Sequence, residues 1–496
     1  MFQFVDIDGS TKTEALLPQH RIVQRRDKPS SQDVIVPLAQ ELVAKGEKVL
    51  VFRNMRRPAQ GCAKYLSKEL GLGEATAVID ALPTQDLTGA SQDLRESLAG
   101  GTAFHNTNLL RAEREAIEKG FRNRDGGIDV LVATTTLAAG INTPASTVIL
   151  AENEFVGEDG RPFTVAEYKN MAGRAGRLGF NEIGKAIILA ETPFERAQLF
   201  QKYVLGTPEE VKSSFQNRDL PTWTLRLLSQ VRGVRASDIP ALLVNTFGGY
   251  TASRDAPQWI AAVKADVTNL ISRLLLAGLA EQESDIIHLT LLGRACGASS
   301  LSFESGLRLV ELMRQLDASQ TQPSLTLAMI QVLDEMDAIY TPVMKRGRSE
   351  SVRASEVAQR YGQATMQSLQ RYCRDEIEFW CRCKRASLLH DWIEGIPVDI
   401  LEMRYSATPF QGAVGYGDIM RIVEGTRFYL RSAHQILTAL FPDQPEFLTS
   451  LDDILRRLEF GLPSNVLVLT ELPIPLTRGQ YLALATAGCS GPDDVA

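Results

Sequence analysis

"IDVLVATTTLAAGINTPASTVIL", residues 128–150, reads as one aliphatic strand ending at Thr134, a turn of hydroxyl and small residues, and a second aliphatic run. Its apolar residues are continuous rather than alternating, as in strands covered on both faces of a parallel sheet. "KVLVF" from Lys48 and "KAIILA" from Lys185 have the same character, and the helical stretches "PAQGCAKYLSKELG" and "LLRAEREAIEKGFR" lie between these runs. This alternation predicts an α/β domain: a parallel sheet with helices on both faces and right-handed crossovers. Open sheets of this kind bind ligands at the carboxyl ends of their strands, where hydroxyls and free backbone N–H groups suit phosphate. A threonine after a strand also serves as an ordinary helix N-cap.

Further along, "YKNMAGRAGRLGF" (168–180) sets Arg174 and Arg177 three apart among small residues. On a helix that spacing would put both guanidiniums on one face, where two neighbouring cations call for an anion.

At 496 residues the chain exceeds one core and should hold about three or four domains. A net charge of −7 advertises no polyanionic partner, so a nucleic-acid surface would have to be a local basic patch. Six scattered cysteines suit a reducing compartment. Only Cys373, Cys381 and Cys383 cluster, without a fourth ligand at metal spacing, so no metal site is expected there. No apolar run approaches the ~20 residues of a membrane span and the N-terminus lacks a signal pattern, giving a cytoplasmic protein with no membrane partner as the expectation.

Beyond about 206 strands nearly vanish. "DVTNLISRLLLAGLAEQESDIIHLTLLGRACG" reads as a helix, then a β-hairpin, the look of a winged helix. Helical patterns then run to about 460, and a short helix pair follows with Gly488 as a stop.

Taken together, "ATTTLAAGINTPA" and "YKNMAGRAGR" resemble motifs V and VI of the second RecA-like domain of superfamily 2 helicases, in the Ski-like branch that includes the archaeal DNA-repair helicases. "KVLVFRNMRR" resembles motif IV, and "RASLLHDWIEGIPVDILEMRYS" with "GDIMRIVEGTRFYLRSAHQI" resembles that branch's helical ratchet domain. The likeness covers nearly the whole chain and implies an inter-domain connection at 1–30, the second RecA-like domain at 31–205, a winged helix at 206–297, a ratchet bundle at 298–460 and a helix-hairpin-helix-like tail at 461–496.

By the same resemblance Arg174 and Arg177 would be arginine fingers toward the γ-phosphate of ATP with Mg²⁺. Gly140, Asn142, Asn170 and Gly173 would lie on the nucleotide side, and Arg56, His105 and Thr134 would face the nucleic-acid strand. His105 also reads equally as a packed or capping histidine. A ratchet helix capped by Asp418 would present Arg421 and Phe428, seven apart on one face, for base stacking, the alternative for Phe428 being a core aromatic. The basic runs "KRGRSESVRASEVAQRY" (345–361) and "RCKRAS" (382–387) would be local positive patches, and "ENEFVGEDGRPFTVAEY" would form a duplex-wedging hairpin turning at Asp159-Gly160.

Asn170 stands where the family has glutamine, Met55 where a small hydroxyl residue is usual, and "HNTN" (105–108) in place of "HHAG". The sequence contains no GxxxxGK[ST] loop: its one Gly-Lys pair, Gly184-Lys185, precedes a strand. Asp334-Glu335 and Asp375-Glu376 follow no buried strand and are not Mg²⁺ sites. The expected function is therefore the C-terminal part of an ATP-dependent 3′ to 5′ helicase or translocase acting on single-stranded or tailed duplex DNA, needing a P-loop-bearing first RecA-like domain in trans. The alternative is a non-catalytic nucleic-acid-binding subunit, a helicase relic.

Overall fold

The computed structural model describes residues 2–6, 8–14, 24, 28–123, 127–135, 145–156, 160–176, 183–213, 219–315, 323–344, 350–408 and 411–495. They fall into two compact units, Met1–Glu210 with Gly415–Gly417, and Val211–Val414 with Asp418–Ala496.

The first unit opens with a hairpin, β1 (Phe2–Val5) and the exposed β2 (Thr11–Glu14), followed by α1 (Gln32–Ala44). The α/β body runs β3 (Val49–Arg53), α2 (Arg56–Glu69), α3 (Thr76–Asp80), α4 (Gly89–Leu98), β4 (Thr102–His105), α5 (Arg111–Arg122) and β5 (Val130–Thr134). It continues through β6 (Thr147–Leu150), the two-residue strands β7 (Glu154–Phe155) and β8 (Arg161–Pro162), α6 (Val165–Ala172), β9 (Lys185–Ile188) and α7 (Pro193–Leu199). Five strands form one wholly parallel sheet in the order β4-β5-β3-β6-β9. Every residue of β4, β5 and β6 is buried, and β5 and β6 accordingly carry unbroken aliphatic runs. Strand β9 lies at the sheet edge, and its exposed Lys185 there discourages further strand pairing. The expected hairpin is present: Glu154 pairs with Pro162 and Phe155 with Arg161, with Asp159 of its turn outside the described residues.

The second unit begins with α8 (Leu220–Ser229), β10 (Val234–Arg235), α9 (Ile239–Val244), α10 (Phe247–Asp255) and α11 (Trp259–Leu276). Next come β11 (Ala280–Glu283), β12 (Ile286–Leu289) and α12 (Leu291–Ala298). The helix-then-hairpin order read from the sequence is α11-β11-β12, and β10 adds a third antiparallel strand to the hairpin. Helices dominate the remainder: α13 (Phe303–Arg314), α14 (Pro323–Met329), α15 (Asp334–Asp337), α16 (Val352–Tyr361), α17 (Gln363–Arg371), α18 (Glu376–Ile393), α19 (Val398–Tyr405), α20 (Tyr416–Leu440), α21 (Pro445–Phe460) and α22 (Arg478–Thr486). The first member of the expected C-terminal pair is a 3₁₀ segment, Ser464–Glu471, and Gly488 follows α22 with φ +92°. Among the described residues no helix is long and apolar enough to cross a membrane.

Candidate functional site

Helix α6 leads into the loop that carries Arg174. Thr164 caps it by accepting a hydrogen bond from Glu167 N (3.1 Å), while the Glu167 carboxylate accepts from Thr164 N (2.8 Å), a reciprocal box that satisfies two end N–H groups. Arg161 grips Glu167 with two hydrogen bonds of 2.8 and 2.7 Å. That grip, with the Thr164 bonds, holds the Glu167 carboxyl down to about 2. A second carboxylate, Glu209, accepts from Val165 N (2.7 Å) and Ala166 N (3.1 Å), and these bonds lower its pKa. Two anions at a helix N-terminus complement its dipole. Val165, Tyr168 and Met171 form the buried side of α6, and Tyr203 buttresses it with its hydroxyl on Phe163 O at 2.9 Å.

The helix ends at Ala172, so Arg174 stands beyond its C-terminus. The expectation of two guanidiniums on one helical face is therefore corrected: Gly173 caps the helix and the chain turns to form a parallel bridge between Ala175 and Ala145. Ala145 N donates to Arg174 O (3.3 Å) and Gly176 N donates to Ala145 O (3.0 Å), so the backbone on both sides of Ala175, directly after Arg174, is clipped to Ala145. Gly176 has φ +63°, and a Cβ there would lie 2.4 Å from Gly184 N; both conformation and space require glycine. The Arg174 side chain is only 7% exposed, whereas Asn170 and Gly173 are exposed. Arg177, Gly140 and Asn142 lie outside the described residues.

The carboxyl edge of the sheet carries a second group of residues. Arg53 ends β3 beside Thr134 and pairs with Glu152 at 2.7 Å, just past β6. Burial raises the Glu152 pKa, opposed by Arg53 and by a hydrogen bond from Asn54 N. Arg56, the first residue of α2, donates from Nη1 to Asn108 Oδ1 (2.8 Å), and Asn106 in turn accepts from Asn108 N (2.9 Å). The "HNTN" departure thus builds a rigid support for the Arg56 guanidinium. Thr134 is buried at the end of β5. His105 is 4% exposed, with Nε2 3.0 Å from Glu118 Oε1, so the packed reading describes it and the strand-facing one is unsupported. Local sequence pattern missed Arg53, Glu152, Glu209 and Asn108, because each works through a partner more than forty residues away.

In the second unit α20 begins at Tyr416, two residues earlier than the Asp418 cap expected, and Asp418 is buried in its first turn. Ile419, Ile422, Val423, Thr426, Leu430, Ala433, Ile436 and Leu437 form its buried side. Arg421, Glu424, Phe428, Arg431 and Gln435 form an exposed stripe opposite. Phe428 is 54% exposed, which excludes the core-aromatic reading.

The "RCKRAS" run is a correction of another kind: it is core, not surface. Arg382, Lys384 and Arg385 are essentially fully buried in α18. Arg382 and Arg385 both pair with Asp337, at 2.5 and 2.9 Å, and Lys384 pairs with Glu350 at 2.8 Å. Burial lowers the Lys384 pKa against the opposing pull of Glu350. From the other run, Arg353 donates to Arg404 O (2.6 Å) and Arg360 pairs with Asp391 (2.9 Å). A buried cation without such partners would be prohibitively costly, so the carboxylates explain why these charges turn inward. This network reaches α20, since Arg385 Nε donates to Gln331 Oε1 (2.9 Å) and Gln331 Nε2 to Thr426 Oγ1 (3.2 Å), half a turn from Phe428. The acidic pairs rejected as Mg²⁺ sites have structural roles: Glu335 accepts from Ser302 N (2.6 Å), Asp334 pairs with Arg308 (2.6 Å), and Asp375 caps α18.

Comparison with known proteins adds to this geometry. The helicase conserved C-terminal domain family matches residues 33–179, which include all but the edge strand of the five-stranded sheet. ATP-dependent DNA helicase Hel308 of Pyrobaculum calidifontis is 29% identical over 490 residues, covering 96% of this chain and 64% of that protein. The Hel308 helicases of Caldivirga maquilingensis and Pyrococcus horikoshii are each 27% identical, over 94% and 91% of this chain and 62% and 61% of their own lengths. The chain thus spans a little under two thirds of these relatives. Residues 33–179 are a helicase C-terminal domain, and over nearly its whole length the chain is homologous to the C-terminal part of Hel308 helicases.

Proposed function

We propose that this chain supplies the arginine-bearing RecA-like domain and the strand path of an ATP-dependent 3′ to 5′ DNA helicase or translocase, working with a P-loop-bearing first RecA-like domain. The observation that carries the strand path is the exposed stripe of α20. A large aromatic ring left in solvent on an otherwise well-packed helix, one face with Arg421, is the chemistry of sequence-tolerant base stacking. On this reading α8–α12 with β10–β12 act as a winged helix, α13–α21 as the ratchet bundle, and β7–β8 as the duplex wedge.

For ATP and Mg²⁺ the donor set fits one edge of the nucleotide. Arg174 is anchored through its own carbonyl to Ala145, and Thr134 closes a buried strand at the ligand-binding edge of the sheet. Among the described residues no cluster of His, Cys, Asp or Glu could hold a metal ion, and the sequence has no phosphate-cradling loop. Phosphate and Mg²⁺ would therefore be held mainly by the partner domain. ATP, when bound, would supply a transferring phosphoryl group whose charge an arginine can stabilise by about 10³–10⁵ in rate. The task of this chain is to hold Arg174 at a fixed backbone position and to deliver its guanidinium. Arg56, fixed by Asn108, would bind a strand phosphate, and Phe428 with Arg421 would hold bases.

A binding-only relic is favoured by one observation, the burial of the Arg174 side chain. ATP hydrolysis separates the two readings. The motor reading predicts none from these residues alone and DNA-stimulated hydrolysis once a P-loop-bearing first RecA-like domain is present. DNA binding with no hydrolysis in the mixture would leave the relic.

A further inference from the structure

Beyond Phe428 the exposed stripe of α20 runs into a groove shared with α21, with a cavity of about 380 Å³ lined by Arg427, Arg431, His434, Asp452, Arg456 and Glu459 among others. Arg427 is matched by Glu459 (3.2 Å) and His434 by Asp452 (3.6 Å), while Arg456 lies 4.0 Å from Glu471 outside the groove. Arg431 is exposed and, among the described residues, makes no ion pair. Three arginines against two carboxylates leave the groove at +1. This surplus suits an anion rather than an apolar segment.

The position of the groove selects the anion. At a rise of 1.5 Å per residue Arg431 lies about 4.5 Å further along α20 than Phe428, and Gln435 about 6 Å beyond that. A strand carries a phosphate about every 3.4 Å of duplex axis, so Arg431 lies within about two nucleotides of a base on Phe428. A cationic groove running on from a stacking ring is how sequence-independent single-strand sites are built. We propose that the α20–α21 groove holds the sugar–phosphate backbone of the strand whose base stacks on Phe428, with Arg431 binding a phosphodiester. The inference rests on the strand path proposed above.

Salt dependence tests it, because each phosphate neutralised on a single strand contributes about 0.7 to the slope of log K against log salt. Affinity for a fluorescent oligo-dT would be measured on the full chain between 50 and 200 mM NaCl, for the wild type, Arg431→Gln, Phe428→Ala and Arg374→Gln. The last removes an exposed arginine already paired with Glu378. Arg431→Gln should flatten the slope by about 0.7, so that the affinity lost over this fourfold rise in salt shrinks by about 2.6-fold. Arg374→Gln should leave the wild-type slope. An unchanged slope in Arg431→Gln, with binding weakened by Phe428→Ala, overturns the groove and leaves the strand path standing. Equal flattening by Arg374→Gln overturns it as diffuse charge. No effect from either Arg431→Gln or Phe428→Ala removes the strand path itself.

Discussion

Replacing Phe428 by alanine separates two accounts of α20 by magnitude. With 54% of its surface in solvent, the ring fills no cavity, and its ring contact among the described residues is edge-on to Tyr429 at 5.1 Å. Removing it should therefore leave thermal stability almost unchanged. A core phenylalanine would lose about 3–5 kcal/mol on the same change. At about 2–4 °C per kcal/mol for units of this size, that is a fall in Tm of about 6–20 °C. Stacking on one base is worth about 1–3 kcal/mol, so affinity for single-stranded DNA should drop about 5- to 150-fold. Fluorescence anisotropy with oligo-dT reads the affinity, and circular dichroism melting reads the stability. A Tm fall of 6 °C or more with unchanged affinity would refute the assignment and make the ring structural.

Other predictions follow from the ion pairs. Glu350→Gln strands the buried Lys384 ammonium and should cost about 3–5 kcal/mol at neutral pH. Because the folded pKa of Lys384 is already depressed, and falls further without Glu350, the folded state sheds its proton first and stability rises with pH. The gap in Tm between variant and wild type should thus narrow toward pH 10, and a gap flat in pH would contradict this. Glu167 has its folded pKa held at about 2 against an ordinary 4.5, so its stabilising contribution is complete above about pH 4.5 and is lost as pH falls toward 2. The pair is partly exposed and screened, limiting the effect to about 1 kcal/mol or less. Acid melting curves should show this component in the wild type and lack it in Glu167→Gln.

What the sequence disclosed depended on whether the signal was local. Strands β3, β5 and β6 were legible because burial on both faces leaves unbroken aliphatic runs. The exposed placement of Phe428 and Arg421 was legible as a seven-residue spacing, although only the structure separates a solvent stripe from a core one. Charge runs misled for a physical reason: Arg382, Lys384 and Arg385 look like a surface patch until Asp337 and Glu350, more than thirty residues away, are brought beside them. The supports of Arg56 and α6 were hidden likewise, since Asn108 and Glu209 carry no motif of their own. Arg174 is singled out by its motif, but α6 ends at Ala172, so no helix carries it.

The central claim is that Arg174 serves ATP hydrolysis and not strand binding. The most direct test is DNA-stimulated ATPase of this chain together with a P-loop-bearing first RecA-like domain, for wild type and Arg174→Ala, alongside oligo-dT affinity of the same samples. The account predicts hydrolysis reduced about 10³-fold or more with affinity within twofold of wild type. Unchanged hydrolysis with weakened strand binding would contradict it.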